Sequence, residues 1–388
     1  MTKRNRSNRT FAGLALATAI AGLSPLGALA QSDTYSSAAH DFEITTVAEG
    51  LEVPWSMTWL PNGDMLVTER PGRLRIVRNG TLLAAPVEGV PEVHAVGQGG
   101  LFDVLPHPDF ESNKLVYLSF SKPLPDESTT TVIRGTFEND RLSNVETIFQ
   151  ADTTGRNGHY GGRIAFDNDG YLFITVGDRQ APPSGNLEAH PAQDLANHSG
   201  TVIRLHDDGC VPSDNPFVGR RDALPEIYSY GHRNPQGIDI HPVTGDVWTD
   251  EHGPQGGDEL NIEEAGKNYG WPVIGYGVNY GPGLPIHSSQ QSEGMEQPRH
   301  FWVPSIATAG LMIYSGDLFP NWKGDIFVGG LRGQQLARVD LNDEGKMAMM
   351  EETLLNGIGR IRDIHQGPEG AIYIATENRG ILRLTPSN

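Results

Sequence analysis

Beyond residue 40 the chain repeats one hydrophobic pattern. A turn rich in Asn, Asp or Gly is followed by a segment in which apolar, β-branched or aromatic residues alternate with polar ones. The pattern recurs as "LPNGDMLVTER", "DFESNKLVYLSFS", "DNDGYLFITVGDR", "HPVTGDVWTDEHG", "FPNWKGDIFVGGL" and "GPEGAIYIATENR". Period-two alternation after such turns predicts β-strands. In "ERPGRLRIVRNG" and "ENRGILRLTP" a short turn leads on to a second strand. The units lie roughly 45 to 80 residues apart, the interval of a four-stranded blade with loops of variable length. No segment sustains helical periodicity over three turns, and "NLEAHPAQDLANHSG" is broken by Pro and Gly.

Six β units without helices predict an all-β fold, a six-bladed β-propeller, in which radial repetition buries each sheet against its neighbours. A β-sandwich is the simpler alternative, but it seldom needs so many repeats. The segments "FEITTVAEGL" near the start and "GILRLTP" near the end both read as strands that could pair in one blade and close the ring. On this reading residues 41–388 are a single catalytic propeller domain and 31–40 a flexible lead-in.

The first 30 residues have a different character. Lys3, Arg4, Arg6 and Arg9 precede the apolar run "FAGLALATAIAGL", and "ALA" at 28–30 suits a small-residue cleavage site. Ser24 and Pro25 interrupt the run before it reaches the about 20 residues of a membrane span. The expectation is a cleaved Sec-type signal peptide, since there is no Arg-Arg pair, and a periplasmic protein without membrane insertion. The 47 Gly and 27 Pro, with no low-complexity tract, fit a turn-rich β fold. A formal charge of −19 argues against nucleic acid and anionic membranes as partners. Cys210 is the only cysteine, so the fold must be held by its core, by ring closure or by a metal instead of disulfides; a lone cysteine is commonly a small buried apolar residue.

Chemistry in a propeller is expected in loops that converge on the axis. In "NGHYGGRIAF", His159 precedes Gly161 and Gly162, which permit close backbone approach. His159 is either a base working near neutral pH or a surface-loop histidine. In "YGHRNPQGI", Pro235 biases Asn234 towards extended backbone and helps aim His232, Arg233 and Asn234. The rigid fork of Arg233 suits a carboxylate or paired carbonyls, whether from a ligand or from a neighbouring Asp. In "DEHGPQGGDELN", Asp250, Glu251, His252, Asp258 and Glu259 crowd around glycine turns, a mixture of carboxylates and turn carbonyls that suits Ca²⁺ without EF-hand spacing. "DNDG" at 167–170 reads as a plain β-turn. Arg332, and Arg360 with Arg362 two residues on, imply an anionic ligand or an ion-pair network.

The blocks "GQGGLFDVLPHPDF", "GHYGGRIAFDNDGYLFITVGDR", "SYGHRNPQGIDIHP", "DEHGPQGGDELNIEEAGKNYGWP" and "GRIRDI" occur in the order found in soluble pyrroloquinoline-quinone (PQQ)-dependent sugar dehydrogenases. The chain resembles the aldose sugar dehydrogenase branch of the glucose/sorbosone dehydrogenase family over roughly residues 45–385. The resemblance implies a six-bladed propeller and oxidation of the C1 hydroxyl of an aldose to the lactone, with PQQ and Ca²⁺ as cofactors. By the same resemblance His159 matches the catalytic base, and Arg233 the residue that stabilises charge on the quinone C5 oxygen. Asn234 matches a cofactor contact and Gln98 a glutamine near sugar and cofactor. Gly253 and Pro254 match the carbonyls that hold Ca²⁺, and Arg332, Arg360 and Arg362 the cationic set for the cofactor carboxylates.

Some positions depart from the pattern. Arg332 stands where the glucose-specific enzymes carry a lysine. In "WVPSIATAG", Ser305 is the candidate hydroxyl contact to the cofactor, and Asp258, Glu259 and Tyr269 lie near positions that bind sugar or additional calcium in relatives. The implied partners are an aldose and an unidentified electron acceptor, with the protein a monomer or homodimer. Two other readings stand beside this one: a Ca²⁺-dependent propeller lactonase, which has no need of four arginines, and a non-catalytic binding propeller, a role that suits a cysteine-rich chain better.

Overall fold

The six repeating turn–strand units become the second strands of six separate sheets in the computed structural model, which describes residues 33–155 and 157–387. Their turns form for local reasons. In "DNDG" the Asp167 carboxylate accepts from the backbone N–H of Asp169 (3.0 Å) and of Tyr171 (2.8 Å), so this segment is the plain turn its residues suggest.

Each sheet runs in chain order from the axis outward. Blade one comprises Pro54–Trp59, Met65–Glu69, Arg73–Arg78 and Thr81–Leu82; blade two comprises Leu101–Pro106, Leu115–Pro123, Ser128–Glu138 and Arg141–Gln150. Blade three comprises Ile164–Phe166, Leu172–Val176, Thr201–Leu205 and Ile227–Tyr230; blade four comprises Pro235–Ile240, Val247–Glu251, Asp258–Glu263 and His300–Trp302. Blade five comprises Thr308–Ile313, Ile326–Gly330, Leu336–Leu341 and Ala348–Leu354. The first strands of neighbouring blades touch one another all the way round, which makes the ring.

Blade six closes it. Ile361–Gln366, Ile372–Thr376 and Gly380–Pro386 come from the end of the chain, and Asp41–Ala48 from its beginning adds alongside, in antiparallel register from Phe42 opposite Pro386 to Ala48 opposite Ile381. The expected pairing of the two terminal strands is therefore present. Within the segment expected as a lead-in at 31–40, Asp33–Ser36 pairs with Asp41–Ala48 as a fifth strand, and Tyr35 stacks on Phe42 at 5.7 Å. The signal-peptide expectation for 1–30 lies outside the described residues.

Apolar clusters fill the spaces between neighbouring blades, including Phe42, Phe319, Trp322 and Phe327 between blades five and six. Each fully buried side chain of this size stabilises the fold by about 1.5–3 kcal/mol. Among the described residues helix is confined to Phe110–Asn113 and three single 3₁₀ turns, and no helix is long and apolar enough to cross a membrane. Cys210 is exposed, contrary to expectation; Asp208 beside it raises the thiol pKa and so keeps it protonated.

Candidate active site

His159 sits on the loop that joins blade two to blade three, in a left-handed conformation (φ 48°) that a non-glycine residue adopts only when held there. Its N–H donates to Gln98 Oε1 at 2.8 Å. The next residues lock the loop: the Tyr160 hydroxyl bonds Ser128 at 2.7 Å, and the Gly161 N–H donates to Asn234 Oδ1 at 3.2 Å. Gly161 permits the close approach expected of it, since a Cβ there would lie 2.6 Å from the Thr175 carbonyl oxygen.

The imidazole is oriented by Asp178, which follows the strand Leu172–Val176. His159 Nδ1 lies 2.6 Å from Asp178 Oδ1, which also accepts from the Gln180 N–H at 2.9 Å, while Oδ2 accepts from Trp271 Nε1 at 2.8 Å. Burial would raise the Asp178 carboxyl, but His159, Arg233 and His190 outweigh it and hold its pKa below the usual value. An ionised carboxylate can only accept, so Nδ1 carries the proton and Nε2 keeps its lone pair. Burial, helped by Arg233 and Arg179, lowers the His159 pKa although Asp178 pulls the other way, so the ring is neutral at pH 7. Asp178 and Trp271 stand inside motifs quoted above, yet sequence reasoning gave neither a role. Asp178 opens a turn, its carbonyl accepting from the Ala181 N–H and its carboxylate from the Gln180 N–H, and Asp is ordinary there, so no local signal marked it.

Arg233 is positioned from behind. His232, fully buried, lies between Glu251 (Nδ1 to Oε1, 2.9 Å) and Glu263 (Nε2 to Oε2, 3.3 Å). Burial alone would lower its pKa, but the two glutamates raise it to about 10, making it an imidazolium. The second oxygen of Glu251 accepts the Arg233 N–H at 2.7 Å. The Arg233 guanidinium then donates to the His252 carbonyl at 3.1 Å and lies 5.3 Å from the Trp271 ring centroid. It forms no ion pair with a carboxylate among the described residues, so a buried cation is left facing the cleft.

Two cavities share this region. One of about 370 Å³ lies at the axis, lined by Arg70, Gln98, Asn234, His252, Arg360 and Arg362. The other, about 490 Å³, is lined by Gln98, His159, Asp178, Arg233, Trp271 and Tyr280. A larger hollow of about 900 Å³ lies between blades one and two, away from these groups; there Arg78 is already paired with Asp64 and Asp140. Arg360 and Arg362 converge on Glu377 at 2.8 and 3.0 Å. Burial, with Arg360 and Arg163 nearby, brings Arg362 down to about 10 despite Glu377, and its buried Nε has no hydrogen-bond partner. Arg332 is exposed and outside the lining of both cavities, although its neighbour Leu331 lines the axial one.

The expected metal positions fare differently from one another. Among the described residues nothing hydrogen-bonds to the carbonyls of Gly253 and Pro254. They border a void of about 20 Å³, room for one water or ion, together with Glu251 and Glu259. Burial and then Glu251 push the Glu259 carboxyl up to about 8. The Tyr269 hydroxyl is engaged, donating to the Ile262 carbonyl and accepting from the Glu264 N–H, while its ring stacks on His232. Ser305 donates to Asp258 at 2.7 Å and does not line the cleft. Asp250 is buried beside Thr308, and burial raises its carboxyl to about 8. Among the described residues no cluster of three or more His, Cys, Asp or Glu side chains could hold a metal, so backbone carbonyls would have to supply much of any coordination.

Fold and site together define a six-bladed propeller with a His–Asp pair and a cationic cleft at its axis. The family model for glucose/sorbosone dehydrogenase matches residues 51–383, and the chain belongs to that family, which places it among the sugar-oxidising oxidoreductases. It is 39% identical over 354 residues to the aldose sugar dehydrogenase YliI of Escherichia coli, with 89% of this chain and 93% of the relative covered. A crystal structure of a glucose dehydrogenase matches with a TM-score of 0.82 at 42% identity, covering 89% of this chain and 99% of the other. The PQQ-bound aldose sugar dehydrogenase of Streptomyces coelicolor matches with a TM-score of 0.73 at 27% identity, covering 89% and 98%.

Proposed function

We propose that this protein is an exported, periplasmic PQQ-dependent dehydrogenase that oxidises the C1 hydroxyl of an aldose to the lactone. The observation that carries the reading is the meeting, in one cleft, of a neutral histidine whose free nitrogen is Nε2 and a buried arginine without a carboxylate partner.

The donor set suits the cofactors. An anionic quinone bearing carboxylates matches Arg233 and the buried, unsatisfied Nε of Arg362, with Arg360, Asn234 and Gln98 beside them. A Ca²⁺ ion matches the free carbonyls of Gly253 and Pro254, with Glu259 as the nearby carboxylate. Tyr269 and Ser305 drop out of the ligand sets because their hydroxyls are already engaged, and Arg332 stays outside the lining. When bound, the quinone supplies a hydride acceptor and the ion a Lewis acid.

The protein's own groups do the rest. His159 Nε2 takes the proton from the C1 hydroxyl while the hydride leaves C1, so the sugar loses two electrons and two hydrogens and departs as the lactone. Asp178 stabilises the imidazolium that forms. Arg233, which lines the same cavity as His159, would face the negative charge that hydride transfer creates.

The test is dye-linked oxidation of a panel of aldoses by purified apoprotein, with and without PQQ and Ca²⁺. Turnover only with both supports the proposal. No turnover with any sugar, together with no quinone absorbance on the protein, overturns it, and hydrolysis of lactones with Ca²⁺ alone would point to the lactonase reading.

A further inference from the structure

The floor of the axial cleft is held by a residue that has no part in the site as described so far. Arg163, just before the inner strand of blade three, is 3% exposed, and its guanidinium reaches the inner strands of other blades. Nε donates to the Gln236 carbonyl of blade four at 2.8 Å. Nη1 donates to Asp363 Oδ1 of blade six at 2.7 Å, and Nη2 to the Arg362 carbonyl at 2.7 Å. The guanidinium lies 4.1 Å from the Trp55 ring centroid of blade one and 3.7 Å from Asp103 of blade two. Blade five closes on the same point, since a Cβ on Gly310 would lie 2.8 Å from Asp363 Cα.

These contacts share a backbone feature. In blade six the register passes from Ile361–Thr376 to Asp363–Ala375, which leaves Arg362 as the extra residue of a β-bulge. Gln236 is the extra residue in blade four, between Pro235–Glu251 and Gly237–Asp250. Trp55, Asp103 and Gly310 fall within the corresponding irregularities of blades one, two and five. A ring of bulges therefore surrounds one guanidinium. Bulges re-aim side chains and leave backbone groups outside the ladder, and here Arg163 binds the carbonyls of two of the extra residues. Above this layer Trp55, Gln236 and Arg362 line the cleft of about 370 Å³. Arg163, Asp103 and Asp363 line a separate cavity of about 360 Å³ at the opposite ends of the inner strands.

We propose that Arg163 is a positioning residue for the cofactor cleft: by holding the bulge carbonyls of Arg362 and Gln236 it sets the direction from which Arg362 meets an anionic ligand. This rests on the function proposed above. Lysine cannot replace it, because one ammonium cannot span three separate acceptors in fixed directions and stack on Trp55 as well.

The test is titration of apoprotein with PQQ in the presence of Ca²⁺, followed by the absorbance of the bound quinone, for wild type, Arg163→Lys, Arg362→Gln and the double variant. Arg163→Lys should raise Kd at least tenfold, with the KM for the aldose at saturating PQQ changed less than threefold. In the Arg362→Gln background the same substitution should raise Kd less than threefold, because it acts through the side chain already removed. Losses that simply add, or an unchanged Kd in Arg163→Lys, would overturn the proposal. If Arg163→Lys does not fold, Asp363→Asn removes the charge that fixes the guanidinium and is judged by the same two criteria. A wild type that binds no PQQ would overturn the cofactor reading and this role together, whereas binding by the wild type with an unaffected variant would overturn this role alone.

Discussion

Replacing Asp178 by asparagine changes one atom and separates orientation from chemistry. Asp178 accepts three hydrogen bonds, from His159 Nδ1, the Gln180 N–H and Trp271 Nε1. An amide cannot satisfy all three. With its oxygen towards His159 and Gln180, its NH₂ meets the Trp271 donor; flipped, it satisfies Trp271 but offers a donor to Nδ1, which forces the proton onto Nε2 and abolishes the base. The first arrangement leaves a buried donor unsatisfied at a cost of about 1–3 kcal/mol. Either arrangement also removes the negative charge facing the imidazolium formed in the reaction. At a separation of about 4 Å and an effective dielectric of about 20, that attraction is about 4 kcal/mol, or about a thousandfold in rate. Asp178→Asn should therefore lower kcat by about a hundred- to ten-thousandfold while PQQ binding stays within a few fold. The pH profile gives a second, independent check. Turnover needs neutral His159, so it falls as pH drops through the pKa of that group, which burial already places below its ordinary value. Asp178 is the group that raises this pKa, so its loss should move the acid limb to lower pH. Steady-state kinetics from pH 4 to 8 with reconstituted enzyme measure both quantities. A kcat within threefold of wild type, or a limb that moves to higher pH, would refute the assignment of Asp178 and His159 as a pair.

Other expectations follow from the same geometry. His159→Ala should keep PQQ affinity and lose roughly a hundred- to ten-thousandfold in kcat; near-normal turnover would remove it as the base. Arg233→Met should lower kcat by about a hundred- to a thousandfold, the usual effect of deleting one donor from a developing negative charge, and a loss confined to sugar KM would contradict that role. Phe42, buried on the closing strand, packs edge-on against Trp322 at 5.7 Å. Phe42→Ala should destabilise the fold by about 3–5 kcal/mol in chemical denaturation, and a cost below 1 kcal/mol would mean that closure matters little. His232 has a folded pKa raised to about 10, so its contribution to stability is complete below its ordinary pKa of 6.5 and fades as pH rises through about 10. The stability advantage of wild type over His232→Asn should shrink across that window; a constant difference would mean that His232 is not charged in the fold.

Much of the fold is legible along the chain, because each of the six quoted units carries its own turn residues and its own period-two strand. The closing pair is legible for the same reason. Asp33–Ser36 is not, because "DTYS" has no apolar alternation of its own and becomes a strand only beside Asp41–Ala48. The site is legible as a set of polar residues out of place in turns, and less so as a set of bonds. A spacing of two residues would put Arg360 and Arg362 on one face of a regular strand. They do converge on Glu377, but Arg360 precedes the strand and Arg362 is a bulge residue, so the reason is different. Ser305 and Tyr269 offer hydroxyls of the right kind, and both are committed to neighbours within the fold.

Alternating apolar residues and turn chemistry act over two to four neighbouring residues, so strand positions, the number of blades and the terminal closure can be read from the amino-acid order. Which carboxylate meets His159, which cation stays unpaired and which arginine gathers the bulges are matters of approach through space. Asp178 comes from the loop after its strand, Trp271 from 93 residues further along the chain, and the Arg163–Asp363 bond joins blades 200 residues apart. No local pattern encodes those distances, because they exist only once six sheets have packed round one axis and brought their loops to it.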